Sequence, residues 1–133
     1  MVNQKRHQQY RAGLLTIAAI NCEDLLQFYA QLLGQEPQPY IPNIYGEFQL
    51  TGLRLGIFKP KETHLGEFAP IPARTGAMSL CLEVADLEAA INHLTALGYP
   101  PTDPIQIAAH GREIYARDPL GNRLILHEPP VLP

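Results

Sequence analysis

Tyr115-Ala116-Arg117-Asp118-Pro119-Leu120-Gly121-Asn122-Arg123-Leu124-Ile125-Leu126-His127-Glu128-Pro129 reads as a strand, a tight reversal and a second strand. The reversal is local chemistry: Pro119 fixes φ at one turn position, and Gly121 or Asn122 accepts a positive φ at another. Side-chain alternation then sorts the second strand. Leu124 and Leu126 point to one face, while Arg123, Ile125 and His127 point to the other. On the preceding strand Glu113, Tyr115 and Arg117 share a face by the same period.

Working outward, the first half of the chain repeats this pattern. Gly52-Leu53-Arg54-Leu55-Gly56-Ile57-Phe58-Lys59-Pro60 runs parallel to Gly121–Pro129, sharing Gly, Arg, Leu and Pro, and Leu33-Gly34-Gln35-Glu36-Pro37 matches Leu97-Gly98-Tyr99-Pro100-Pro101. Upstream of each match lie the same elements. Leu14–Ile20 is a strand-length apolar run, and Asn21 with Asp24 predicts a helix start in which a side-chain oxygen caps free backbone N–H groups. Leu25, Phe28, Tyr29, Leu32 and Leu33 give that helix one apolar face, and Gly34 ends it. Three strands fit between Pro37 and Phe58, whose prolines suit edges and turns. Lys59 to Gly76 reads as a surface linker. The order then recurs: Met78–Val84 is a strand, Asp86 caps a helix carrying Leu87, Ala90, Ile91, Leu94 and Leu97, and Gly98 stops it before Pro100.

The expectation is an α+β protein of two βαβββ modules, one about 13–60 and the other 77–133, joined by a linker at 61–76 and preceded by a flexible arm at 1–12. A single unit of this size cannot bury its own sheet, so the two halves should pair their sheets, directly or by exchange with another subunit.

Composition narrows the function. At 133 residues and 46% hydrophobic content the chain can build one core. A net charge of −3 leaves no basic field for a phosphate backbone, which argues against nucleic acid. No apolar run approaches the roughly 20 residues of a spanning helix, and Met1–Tyr10 is too polar for a signal peptide. A cytoplasmic protein without a membrane role is expected. Cys22 and Cys81 form no C-x-x-C pair, so reduced, buried thiols are expected rather than a disulfide or zinc site. The sequence has no nucleophile elbow, no phosphate loop and no H-E-x-x-H helix.

Gln27-Phe28-Tyr29-Ala30-Gln31-Leu32-Leu33-Gly34, Leu82-Glu83-Val84-Ala85-Asp86-Leu87-Glu88-Ala89-Ala90 and the Asp118-Pro119-x-Gly121-Asn122 hairpin together resemble the vicinal oxygen chelate superfamily. That superfamily includes glyoxalases, bleomycin-resistance proteins, fosfomycin-resistance enzymes and extradiol dioxygenases. The resemblance covers roughly residues 14 to 129. It implies a glyoxalase/bleomycin-resistance fold in which the paired sheets curl into an open cup, helices outside, with the ligand or metal in the concavity.

In metal-dependent members the first and last strand of each module supply the ligands. Here those four places hold Leu14 (or Leu15), Gly56, Ser79 and Ile125. None of them is a competent ligand for Zn²⁺, Fe²⁺ or Mn²⁺, which take imidazole, carboxylate or thiolate donors at roughly 2 to 2.3 Å. Among the five histidines, His7 falls in the arm, His64 in the linker, His93 on a helix surface and His110 on an exposed turn. His127 falls on the cup face.

The pocket so predicted is mixed. Leu14, Phe58, Cys81 and Ile125 are its apolar members, and Ser79, Arg54, Arg123, Tyr115, His127 and Glu113 its polar ones. Arg54, Arg123 and Glu113 have an alternative role, pairing in water at the rim. Tyr115 stands where extradiol dioxygenases carry a catalytic tyrosine in a similar hairpin, but their accompanying histidine is not matched here, so Tyr115 reads as a wall residue that hydrogen-bonds or stacks on a ligand. Arg117 reads as an ion pair with Asp118 or a turn residue. The resemblance implies a cofactor-free protein that binds a small apolar or aromatic molecule, as bleomycin-resistance proteins do. The alternative is a glyoxalase-like lyase, isomerase or dioxygenase, either with a divalent metal or with Tyr115, His127 and Glu113 as metal-free acid-base groups. Relatives are commonly dimers, so a homodimer is expected.

Overall fold

Leu53-Arg54-Leu55-Gly56-Ile57-Phe58 and Arg123-Leu124-Ile125-Leu126-His127-Glu128 form the strands around which each half is built, because each alternates core-facing leucine or isoleucine with other residues. In the computed structural model, which describes residues 9–68 and 77–131, the first half runs β1 (Leu15–Ala18), α1 (Cys22–Leu33), β2 (Tyr40–Ile41), β3 (Tyr45–Leu50) and β4 (Leu53–Phe58). The second runs β5 (Leu80–Glu83), α2 (Leu87–Ala96), β6 (Gln106–Ala108), β7 (Gly111–Arg117) and β8 (Arg123–Glu128). Two βαβββ modules are therefore present. The sequence-predicted linker holds a short 3-10 helix at Glu62–Glu67. Its stretch at 69–76, and residues 1–8 of the expected arm, lie outside the described residues.

Each module makes a four-stranded mixed sheet, ordered β1-β4-β3-β2 and β5-β8-β7-β6. The parallel pair sits at the same end of both, with Thr16 across from Gly56 and Cys81 across from Ile125. The other pairs are antiparallel. Helix α1 packs so closely on its sheet that a β-carbon on Gly46 would collide with the Leu26 side chain. Gly111, at φ +127, opens β7 where any β-carbon would strike the Glu128 carbonyl.

Helix ends are closed in different ways. Gly34, at φ 68, supplies the left-handed residue after α1. Asp86 accepts from Ala89 N at 3.0 Å and so caps α2, while Glu128 at the end of β8 accepts from Leu87 N at 2.8 Å. Asn21 departs from expectation. It occupies the N-cap position of α1 but makes no backbone cap, because its amide donates instead to Asp24 Oδ2 at 2.7 Å.

The two modules share one core. Phe48, Leu55 and Ile57 from the first and Ile114, Leu124 and Leu126 from the second join Leu25, Tyr29, Leu87 and Leu94 of the helices, all buried. Each such side chain contributes roughly 1.5–3 kcal/mol of apolar burial. A polar joint fixes the halves together. Asp118 is only 2% exposed, and its carboxylate accepts from Tyr29 Oη (2.8 Å), Leu120 N (2.9 Å), Asn122 N (2.9 Å) and Asn122 Nδ2 (2.8 Å). Burial, then the adjacent carboxylate, pushes the Tyr29 phenol far above its ordinary value, so it remains a donor. Phe28 adds edge-on contacts to Tyr29 and to Tyr99 beyond α2. With Asp118 so engaged, Arg117 makes no ion pair with it. The Arg117 guanidinium donates to Gly121 O at 3.2 Å, the turn role.

Candidate functional site: the open sheet faces

Because Leu55, Ile57, Leu124 and Leu126 point to the helices, the alternate residues of each sheet point away from them. On the first sheet this open face carries Leu14, Thr16, Tyr45, Glu47, Gln49, Arg54, Gly56 and Phe58. On the second it carries Ser79, Cys81, Glu83, Glu113, Tyr115, Arg117, Arg123, Ile125 and His127. Every predicted site residue lies on one of these faces. The hydrogen bonds of Glu47 stay within the first module, and those of His127 and Glu113 within the second. A cleft of about 260 Å³ opens between β1 and the approach to β5, lined in part by Thr16, Ala18, Met78, Ser79 and Arg123.

The centre of the first face is Glu47. Its carboxylate, although 4% exposed, is directly across from Gly56 and accepts from Arg54 Nε (2.6 Å), Tyr45 Oη (2.8 Å) and Gln49 Nε2 (2.9 Å). The Arg54 bond above all, with those from Gln49 and Tyr45, holds the carboxyl down at about 2. Burial, together with the bond to Glu47, raises the Tyr45 phenol. This cluster also explains Gly56. A β-carbon there would come within 2.7 Å of Tyr45 Oη and 3.1 Å of a Leu14 methyl, so Tyr45 occupies the space that any side chain on Gly56 would need.

The second face is arranged by register. Cys81, Ile125 and Tyr115 form one row across β5, β8 and β7, and Glu83, His127 and Glu113 form the next. His127 Nε2 lies 2.7 Å from His110 O, and since a carbonyl only accepts, that nitrogen carries the proton. His110 Nε2 donates in turn to Glu113 Oε1 at 2.8 Å, and the two imidazoles stack at 5.2 Å. The predicted association of His127 with Glu113 thus runs through His110, which its place on a turn had set aside. Tyr115 is 36% exposed and stands clear of this network. Cys81 is exposed, against the expectation of two buried thiols, because Leu80 and Leu82 take the core side of its strand. Only Cys22 is buried. Desolvation first, then the charges of Glu113 and Glu83, raise the Cys81 thiol, which makes it a poor nucleophile at neutral pH. Of the residues predicted to pair at a rim, Arg123 donates to Ser79 Oγ at 3.2 Å.

Tyr45, Glu47, Gln49 and His110 are the members that sequence reading missed. The signal for the first three was present, since Tyr45-x-Glu47-x-Gln49 alternates on β3 as Glu113-x-Tyr115-x-Arg117 does on β7.

A divalent metal does not fit the four family positions. Leu14, Gly56, Ser79 and Ile125 offer no imidazole, carboxylate or thiolate, and their neighbours Thr16 and Cys81 would add one raised thiol. Among the described residues no three His, Cys, Asp or Glu side chains are grouped to hold a metal.

Residues 11–126 match the Glyoxalase/Bleomycin resistance protein/Dioxygenase superfamily. The chain belongs to that superfamily. Its fold recurs in a glyoxalase-related enzyme from Fulvimarina pelagi, with 22% identity, a TM-score of 0.71 and coverage of 92% of this chain and 91% of the other. A glyoxalase/bleomycin resistance protein from Catenulispora acidiphila is 26% identical, with a TM-score of 0.63 and coverage of 89% and 97%. Lactoylglutathione lyase from Agrobacterium tumefaciens is 19% identical, with a TM-score of 0.65 and coverage of 89% and 93%. Among curated proteins no sequence match is found. Among the described residues no helix is long and apolar enough to cross a membrane.

Proposed function

We propose that this member of the superfamily binds a small apolar or aromatic molecule against the open sheet faces, without a metal. The observation that carries the reading is Gly56. At a place where metal-dependent relatives position a ligand, Tyr45 Oη and Leu14 fill the volume a side chain would need, so the first module is built around its lack of one. Apolar surface for a ligand is supplied by Leu14, Phe58 and Ile125, and polar orientation by Tyr115, Arg54 and Arg123. A homodimer goes with this reading and is checked by sedimentation. Elemental analysis of the purified protein, followed by thermal-shift titration with Zn²⁺, Ni²⁺, Mn²⁺ and Fe²⁺, tests it. The expected result is no stoichiometric metal and no rise in melting temperature, and a bound stoichiometric metal overturns the proposal.

The His110–His127–Glu113 network favours a second reading, metal-free acid-base catalysis by a lyase or isomerase. His127 Nε2 is occupied by a backbone carbonyl, so Nδ1 is the nitrogen left to exchange a proton. On this reading His127→Ala abolishes turnover of a substrate while leaving its affinity unchanged. On the binding reading no turnover exists to lose.

A further inference from the structure

Building on the proposed ligand site, the chemistry of its first-module end names a class of ligand. We infer that Arg54 recognises an anion, presenting its two Nη nitrogens as a fork to a carboxylate on the bound molecule.

Arg54 donates through Nε alone, to Glu47 Oε1 at 2.6 Å. Its Nη1 and Nη2 make no hydrogen bond among the described residues. The side chain is 42% exposed, whereas that of Glu47 is 5% exposed, so the pair runs from a buried negative end to an open positive end. The buried end cannot swing. Tyr45 Oη and Gln49 Nε2 hold the same carboxylate, and Gln49 is itself tied through its backbone N to Gln35 Oε1 at 2.9 Å. A guanidinium fixed by Nε keeps its end edge free, where two parallel N–H groups match the two oxygens of a carboxylate.

Charge alone would not make such a site selective, because Glu47 neutralises Arg54 and the chain is negative overall. Discrimination therefore rests on geometry, which favours a planar carboxylate over a monatomic anion. The neighbours suit an apolar body behind that carboxylate. Leu14 touches the Gly56 position, and Phe58, edge-on to Phe68, lies two residues beyond on the same strand face. The ligand class is an aryl or alkyl carboxylate.

The test follows the Arg54 Nε–H resonance and backbone amides by ¹⁵N NMR during titration with benzoate, benzamide and acetate, with sodium chloride holding ionic strength constant. Benzoate is expected to move the Arg54 signal saturably and to bind at least about tenfold more tightly than benzamide, the gain of one charge-assisted fork. Arg54→Lys keeps the charge and removes the fork, and Arg54→Gln removes both. Each should bring benzoate down to about the affinity that the unmodified protein shows for benzamide. The wild-type comparison stands alone should a variant not fold. Equal affinity for benzoate and benzamide, or an Arg54 signal that answers to neither carboxylate, overturns the inference. The two proposals fail separately. Acetate shifting Arg54 as strongly as benzoate does keeps the fork and removes the aromatic-binding reading, whereas benzamide binding with Arg54 silent does the reverse.

Discussion

The two open faces descend from one repeated pattern yet are organised in opposite ways. Register equates Gly56 with Ile125, Arg54 with Arg123, Phe58 with His127, Tyr45 with Glu113 and Glu47 with Tyr115. In the first module the carboxylate takes the central position and the tyrosine flanks it, so the cluster closes over a side-chain-less Gly56. In the second, tyrosine is central and exposed, and the carboxylate sits at the end of the face beside two histidines. Exchanging the order of one acid and one phenol on a single strand turns a locked cluster into an open one. The lesson is that equivalent strands carry the same core but need not carry the same site.

The largest expected effect lies in the joint that holds the two faces in fixed relation. Asp118→Ala leaves Tyr29 Oη and two backbone N–H groups without their acceptor in a buried place and should cost about 3 kcal/mol. Urea denaturation measures it, and a loss under about 1 kcal/mol would mean the modules are held by apolar contact alone. Next comes the comparison itself. Gly56→Glu must displace Tyr45 and should cost about 2 kcal/mol, whereas Ile125→Glu, on the open face, loses only partly buried apolar area, about 1 kcal/mol. Equal costs in thermal melts would break the contrast between closed and open faces.

A pH experiment sharpens the same contrast. Glu47 titrates at about 2 in the folded chain against an ordinary 4.5, so its stabilising contribution is complete above about 4.5 and is lost as pH falls towards 2. Glu47→Gln should flatten the stability profile across that interval while also lowering stability at neutral pH. Acid unfolding followed by circular dichroism reads the slope, and an unchanged profile would remove Glu47 from its central role. The smallest effect concerns the thiols. A thiol reagent at neutral pH should modify Cys81 slowly and leave Cys22 untouched until the chain unfolds, because Cys22 is buried and both thiols are raised. Rapid labelling of Cys81 would contradict its raised, acid-flanked thiol.

Much of this was legible in the chain. The repeat Gly52–Pro60 against Gly121–Pro129 gives the two modules. Alternation places Leu124 and Leu126 inward and Ile125 and His127 outward, as the structure has them. The cap at Asp86 and the stop at Gly34 are read from residues adjacent in sequence, which is why they hold. Asn21 did not follow the same rule, since Asp24 three residues on offers its amide a competing charged acceptor.

By itself, then, the sequence determined the fold, the two faces of each strand and the absence of metal donors at the four family positions, because periodicity and residue chemistry act over a few neighbours. Tertiary structure alone decided which outward residues meet. Glu47 reaches Arg54 only through the β3–β4 register, His127 and Glu113 are opposed across β7–β8 with His110 linking them by hydrogen bonds, and Asp118 finds Tyr29 across 89 positions of chain. Those meetings depend on strand register and helix placement, which close long loops to satisfy buried polar groups.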